Sequence, residues 1–210
     1  TGVYSVVRHP IYTAVVIGAT GAVGGSLVRE LLASPRCAGV TALTRRAVED
    51  FEGLPGRDKL RIRVIDFAGI DAATRQAASG CQVAFCTLGV GQPRKVSANE
   101  HWRVDVEYTG AFARGAAAAG VRHISLLSSV GADESSRSRY LRVKGAAERA
   151  FIGAGIPRTS FFRPSLLVTR EIRYGLQDRL TQAFSPVLAT LLPARFHPIR
   201  VEDLARERCA

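Results

Sequence analysis

The stretch Thr13-Ala14-Val15-Val16-Ile17-Gly18-Ala19-Thr20-Gly21-Ala22-Val23-Gly24 decides the fold. An apolar, β-branched run breaks into three glycines spaced three apart and continues into Leu27-Val28-Arg29-Glu30-Leu31-Leu32. That order reads as a strand, a tight turn and a helix. Such a turn leaves the first N–H groups of the helix unpaired and aims them, with the positive end of the helix dipole, at whatever lies above it. A pyrophosphate fits there. Gly18 permits the sharp turn, Gly21 lets the backbone approach the phosphates for want of a Cβ, and Gly24 lets the helix pack close on the strand. Thr20, Ala22 and Val23 complete the expected phosphate-binding turn.

The rest of the chain bounds what this turn can serve. At 210 residues, 47% hydrophobic and 22% charged, it is long enough to bury one substantial core, and one domain over 13–210 is expected. No run of about 18 apolar residues appears, and the N-terminus lacks the basic, apolar and small-residue succession of a secretory signal. A cytoplasmic location without membrane contact is therefore expected. Cys37, Cys81, Cys86 and Cys209 form no Cys-x-x-Cys pair and have no histidine at metal-ligand spacing, so buried free thiols are expected, with neither a disulfide framework nor a metal site. The net charge of +11 and pI near 10.4 suit an anionic ligand. Arginines are scattered through almost every segment, without the lysine-rich tail or aromatic-interleaved basic run that grips a nucleic-acid backbone, so nucleic acid is not expected as a partner.

Ala38-Gly39 reads as a turn into a second strand, 40–44, which closes on Arg45-Arg46. In a dinucleotide-binding fold an acid about 20 residues past the glycines accepts from the adenosine ribose, whereas arginine pairs with a 2′-phosphate. Two arginines and no acid point to NADP(H) over NAD(H). Residues 49–59 read as a loop and 60–65 as a third strand ending at Asp66-Phe67. Asp66 would sit near the adenine, or else cap a turn. After a short helix over 71–79, a fourth strand over 82–86 runs into Thr87-Leu88-Gly89-Val90-Gly91, where Leu88 and Gly89 would bring backbone close to the cofactor's second ribose. Ser97-x-x-Glu100 is a capping box, predicting a long helix to Gly120. Trp102 on it reads as packing and His101 as a surface residue, although its position is near the crevice.

A fifth strand, 123–127, ends in Ser128-Ser129, at the strand ends that line the crevice of a doubly wound sheet. After a polar loop, Tyr140-Leu141-Arg142-Val143-Lys144 opens a helix, and Tyr140 and Lys144, four apart, share its face. A phenol with an ordinary pKa of about 10 is a poor acid near neutrality, and a lysine ammonium beside it favours the phenolate. Lys59, Lys95 and Lys144 are the chain's three lysines, so one in register with a tyrosine beyond a serine pair is a specific signal.

Together these motifs resemble the short-chain dehydrogenase/reductase superfamily, with Gly-x-x-Gly-x-x-Gly in place of the Gly-x-Gly-x-x-Gly of standard dehydrogenases. Gly-Ala-Thr-Gly-Ala-Val-Gly, Arg45-Arg46, Val64-Ile65-Asp66-Phe67, Phe85-Cys86-Thr87-Leu88-Gly89, Leu126-Leu127-Ser128-Ser129-Val130-Gly131-Ala132-Asp133, Tyr140 to Gly145 and Phe162-Arg163-Pro164 are similar to its atypical branch, typified by the HIV Tat-interacting oxidoreductase. The match spans about residues 13–204 in order. The resemblance implies NADP(H) binding in an α/β Rossmann fold, a doubly wound and mostly parallel sheet with helices on both faces. It implies Ser129 or Ser128, Tyr140 and Lys144 as the reacting set, and Arg163 and Pro164 beside the cofactor. Two functions follow: an oxidoreductase acting on a small carbonyl or alcohol, or a non-catalytic NADP(H)-binding regulator that presents a surface to a protein partner. The long helices flanking such a sheet can also pair two copies as a homodimer.

A sixth strand is read over 158–163, with Pro164-Ser165 turning toward the cofactor. Residues 165–210 are expected to cover the substrate, with apolar residues on a helical period over 177–192, broken by Pro186. The chain stops in what reads as a helix over 201–210, as a truncated chain would. Residues 1–12 have no expected role in the domain, although Gly2-x-Tyr4 and Arg8-His9-Pro10-x-Tyr12 resemble a motif of membrane methyltransferases. The absence of methionine fits a chain whose natural start is not shown.

Overall fold

The computed structural model describes residues 11–164 and the backbone of two short strands, 167–168 and 199–200. Residues 1–10 of the expected leader over 1–12, the turn at Ser165, the helical period over 177–192, the terminal helix over 201–210 and Cys209 lie outside the described residues, whereas Tyr12, expected to have no role in the domain, already opens the first strand. Six strands, β1 (Tyr12–Ile17), β2 (Cys37–Thr44), β3 (Leu60–Val64), β4 (Val83–Cys86), β5 (His123–Leu127) and β6 (Arg158–Phe162), form one parallel sheet in the order β3-β2-β1-β4-β5-β6. The order reverses between β1 and β4. In such a sheet the crevice outside the carboxyl ends at that reversal is where ligands bind. The strands β7 (Leu167–Val168) and β8 (Ile199–Arg200) pair in parallel by themselves.

Among the described residues five α-helices accompany the sheet: α1 (Ala22–Ala33), α2 (Ile70–Ala77), α3 (Ala98–Trp102), α4 (Thr109–Ala118) and α5 (Arg139–Gly153). Alternation along β1 divides the core in two. Val15 and Ile17 pack with Ile70, Phe112, Ala116 and Phe151, in the layer of α2, α4 and α5. Ala14 and Val16 pack with Leu27, Leu31, Phe51 and Phe85, in the layer of α1. Because both faces are covered, the strand reads as a continuous apolar run instead of an alternating one. Phe51, buried within the 49–59 connection, anchors that segment against α1, and Lys59 Nζ donates to the carbonyls of Leu32 and Ser34 at the end of the helix, at 3.0 and 3.1 Å.

Four expectations change. The turn at Ala38-Gly39 is absent: β2 already begins at Cys37, with Gly39 paired to Thr13. Nor is the helix from Ser97 continuous. Ser97 does cap it, its hydroxyl accepting from Glu100 N at 3.1 Å, but Arg103–Tyr108 winds as a wider π-turn between α3 and α4. Thr109 Oγ1 donates to the Asp105 carbonyl at 2.7 Å, a side-chain bond that competes with the regular ladder. Trp102 is 43% exposed and His101 fully buried, the reverse of what was expected of each. One residue turns a helix by about 100°, so the two cannot share a face, and His101 is on the face toward α5.

Among the described residues no helix is long and apolar enough to cross a membrane. Cys37, Cys81 and Cys86 are buried free thiols, and burial pushes the Cys37 and Cys81 thiols up from their ordinary range.

Candidate functional site

The turn after β1 is built as its glycines require. Gly18 has φ +83°, and a Cβ on it would lie 2.6 Å from Leu88 N, so no other residue fits without moving the strand beside it. A Cβ on Gly24 would collide with the Gly18 carbonyl. Thr87 Oγ1, at the end of β4, donates to the carbonyls of Ile17 and Gly18 at 3.0 and 3.1 Å and ties the two strand ends together.

Above these strand ends lies a cleft of about 870 Å³, within the usual size range of small-molecule and cofactor sites. Of the expected cofactor residues, Gly18, Thr20, Gly21, Arg45, Arg46, Phe67, Leu88 and Gly89 line it. At one end the Arg45 guanidinium lies 5.3 Å from the Phe67 ring centre, and Phe67 meets Tyr108 edge to face at 5.5 Å. Glu49 and Asp50 also line the cleft. Lys95, Val96, Glu100 and Val104 line it as well. A glycine turn that admits close backbone approach, open helix N–H groups and a cationic end fit a nicotinamide dinucleotide.

The remaining expected residues lie elsewhere. Ala22, Val23 and Gly24 open α1 without lining the cleft. Asp66 takes the capping role, accepting from Ala68 N at 2.9 Å. Arg163 Nε donates to Glu148 Oε1 at 2.8 Å, and the same carboxylate accepts the Ser128 hydroxyl at 2.5 Å. Charge and hydrogen bonding therefore lock Ser128, Glu148 and Arg163 to one another. Glu148 holds the Arg163 guanidinium above its ordinary value, chiefly by that hydrogen bond. Pro164 is buried and its carbonyl accepts from Val130 N at 3.1 Å. Ser129, also buried, makes only a long contact of 3.4 Å from its hydroxyl to the Val130 carbonyl, so of the two serines it is the less committed.

Tyr140 and Lys144 occupy the first turns of α5, and Lys144 Nζ lies 5.9 Å from the Tyr140 ring centre. The lysine is buried behind the cleft's edge: a Cβ on Gly89 would lie 3.4 Å from its Nζ. Its partner is a residue the sequence did not single out. Asp105 Oδ1 is 2.8 Å from Lys144 Nζ, and Asp105 Oδ2 accepts from Val90 N at 2.9 Å. Burial alone would press the Lys144 ammonium toward its neutral form. The Asp105 carboxylate, with Tyr140, the hydrogen bond and Cys86, outweighs burial and holds it above the usual lysine value. His101 completes the wall, its ring nearly parallel to that of Tyr140 with centroids 6.2 Å apart. The available signal was a polar stripe at helical spacing, His101, Asp105 and Thr109, all buried.

Comparisons with known proteins bear on the family and the fold. A family model described as NAD(P)H-binding matches residues 18–179. The rat protein HTATIP2 is 37% identical over 153 residues, 73% of this chain; the chain spans 62% of that relative's length. A protein of Debaryomyces hansenii named "Protein FMP52, mitochondrial" is 29% identical over 197 residues, 92% of this chain and 84% of its own. The solved structure of MoeE5 in complex with UDP-glucuronic acid and NAD superposes with a TM-score of 0.70 at 22% identity, covering 94% of this chain and 71% of that one, which shows the fold. One expectation is overturned: the fungal relatives are named mitochondrial, against the cytoplasmic location read from the N-terminus. The lack of a secretory signal in the stretch given does not identify a compartment. By its glycine turn, its sheet order and these matches, the chain belongs to the NAD(P)H-binding family of oxidoreductase-like Rossmann proteins that includes HTATIP2.

Proposed function

We propose that the protein is an NADP(H)-dependent oxidoreductase acting on a small carbonyl, or on the corresponding alcohol, through Ser129, Tyr140 and Lys144. The observation that carries this reading is the position of Lys144: a buried cation at the cleft's edge behind Gly89, one helical turn from a tyrosine. When bound, the cofactor supplies or accepts the hydride at the substrate carbon. In the direction of reduction Tyr140 gives its phenolic proton to the substrate oxygen, and the Lys144 cation stabilises the phenolate that remains. Ser129 donates a hydrogen bond to the same oxygen. Arg45 and Arg46 would hold the 2′-phosphate, and the turn at Gly18 and Gly21 would receive the pyrophosphate.

Oxidation of NADPH over a panel of aldehydes, ketones and quinones tests the reading. Turnover should appear with at least one class, and Tyr140→Phe should lower it by about a hundredfold or more while NADPH affinity stays close to wild type. A Tyr140→Phe variant at full rate removes the assignment. Tight binding without turnover on any substrate would favour a nucleotide-binding regulator instead. Loss of NADPH preference over NADH in Arg45 and Arg46 variants tests cofactor choice, and equal affinity of the wild type for both nucleotides refutes it. The names of the fungal relatives favour a mitochondrial location for this chain, which fractionation of cells expressing the full-length protein would test.

A further inference from the structure

The His101 side chain is fully buried, and neither Nδ1 nor Nε2 has a hydrogen-bond partner. A neutral imidazole carries one donor and one acceptor, and leaving both bare in a core costs free energy that a phenylalanine or leucine would avoid. Its surroundings suggest what that cost supports. His101 and Asp105 are four apart, as are Tyr140 and Lys144, and the two pairs meet two by two: ring against ring, carboxylate against ammonium. The charged and titratable groups that face His101 are Asp105 from the π-turn and Arg139, Tyr140 and Lys144 from α5. Burial holds the imidazole neutral, and the Arg139 and Lys144 cations add to that while Asp105 opposes it. Both Asp105 oxygens are already engaged, one by Lys144 and one by Val90 N.

We propose that His101 is a positioning residue for Tyr140: its neutral ring walls in the phenol and leaves Asp105 to Lys144, whereas its protonated ring competes for that carboxylate and loosens the pair. The inference rests on the reading of Tyr140 and Lys144 as the reacting groups. A protonated His101 would be a third cation beside Arg139 and Lys144, with Asp105 as the carboxylate in reach among the described residues. Drawing Asp105 toward His101 would release Lys144 from its place behind Gly89 and free the Tyr140 ring. The site would then lose its geometry in acid before the fold does.

Two measurements separate this from a packing role. Histidine side-chain NMR, with the His101 signal assigned by its loss in His101→Phe, should show titration below the ordinary histidine range, and Asp105→Asn should move it lower still. Titration in the ordinary range, or none of that movement, overturns the proposal whether or not the protein turns over. With a substrate found, kcat of the wild type should fall as pH is lowered from about 8 to about 5, through the ordinary histidine value of about 6.5 or below it. That acid limb should be lost in His101→Phe, with KM for NADPH changed less than about twofold because the cofactor contacts stand elsewhere. His101→Ala, which leaves the phenol unwalled, should lower kcat about tenfold or more relative to the wild type at about pH 8. An acid limb retained in His101→Phe overturns the proposal, and His101→Asn, which has no titrating group, gives the same decision should the phenylalanine variant not fold. If no substrate turns over, the Tyr140–Lys144 reading fails, and the NMR measurement still decides whether His101 and Asp105 are linked.

Discussion

Lys144 Nζ and Asp105 Oδ1 stand 2.8 Å apart, with 9% and 1% of their side chains exposed. Removing one partner of so buried a pair strands the other's charge. Asp105→Ala should destabilise the protein by about 3–5 kcal/mol in urea unfolding. Asp105→Asn keeps a single acceptor, for Lys144 or for Val90 N but not for both, and should cost less than the alanine. The raised Lys144 value means that its stabilising contribution is intact at neutral pH and is lost only above its unfolded value of about 10.4, as pH rises through the folded one. A loss below about 1 kcal/mol in Asp105→Ala would show that the pair behaves as an exposed one.

Gly18 and Gly25 should respond to alanine in opposite directions. At Gly18 the positive φ and a Cβ 2.6 Å from Leu88 N force the turn to move, so Gly18→Ala should cost at least about 1–3 kcal/mol and weaken nucleotide binding. At Gly25, inside α1, the nearest atoms to an added Cβ are Arg29 Nη1 at 3.4 Å and the Ala19 carbonyl at 3.5 Å, ordinary contacts. Gly25→Ala should gain about 0.5–1 kcal/mol from helix propensity. Denaturant midpoints for the two variants check both signs, and a destabilised Gly25→Ala would mean that α1 sits tighter on its neighbours than these distances allow.

Glu148 accepts from Ser128 at the end of β5 and from Arg163 beyond β6, joining two strand ends to α5. Glu148→Ala should cost about 1–3 kcal/mol, mostly for the buried serine hydroxyl left without an acceptor. Arg163→Ala should cost less, because its side chain is 49% exposed and solvent screens the charge. Equal losses in thermal unfolding would contradict that ranking.

Acid should destabilise the fold through His101. Its folded value is lowered, chiefly by burial, so the unfolded chain binds the proton more readily, and stability falls as pH drops below the unfolded value of about 6.5. His101→Phe should flatten that part of the stability profile. Unfolding free energies at several pH values between about 5 and about 8 would show it, and an unchanged slope in the variant would assign the proton uptake to another group.

The sheet and the glycine turn were legible because their causes are local. Parallel strands covered on both faces must be apolar along their length, and a positive φ at Gly18 selects glycine without help from the rest of the chain. The charged residues were less legible, since a charge takes whichever partner the fold brings nearest. Arg45 and Arg46 do reach the cleft, whereas Asp66 turns to its own backbone and Arg163 to Glu148. Asp105 and Tyr108 escaped notice because the sequence there reads as one regular helix, and only the packing of α5 and the side chain of Thr109 reveal the wider turn.

That turn acts as a fixed angular offset. A π-turn is equivalent to one residue slipped into an α-helix, and one residue is about 100° of rotation. Everything before Arg103 is thereby turned about the axis relative to everything after Tyr108, so Glu100 can line the cleft and His101 face α5 before the turn while Phe112 and Ala116 face the core after it. Deleting a single residue within Arg103–Tyr108 would restore an even helix and swing one of those two faces out of register. In this molecule the length of one loop-free segment, as much as any side chain on it, keeps the cleft wall before the turn in register with the packed helix after it.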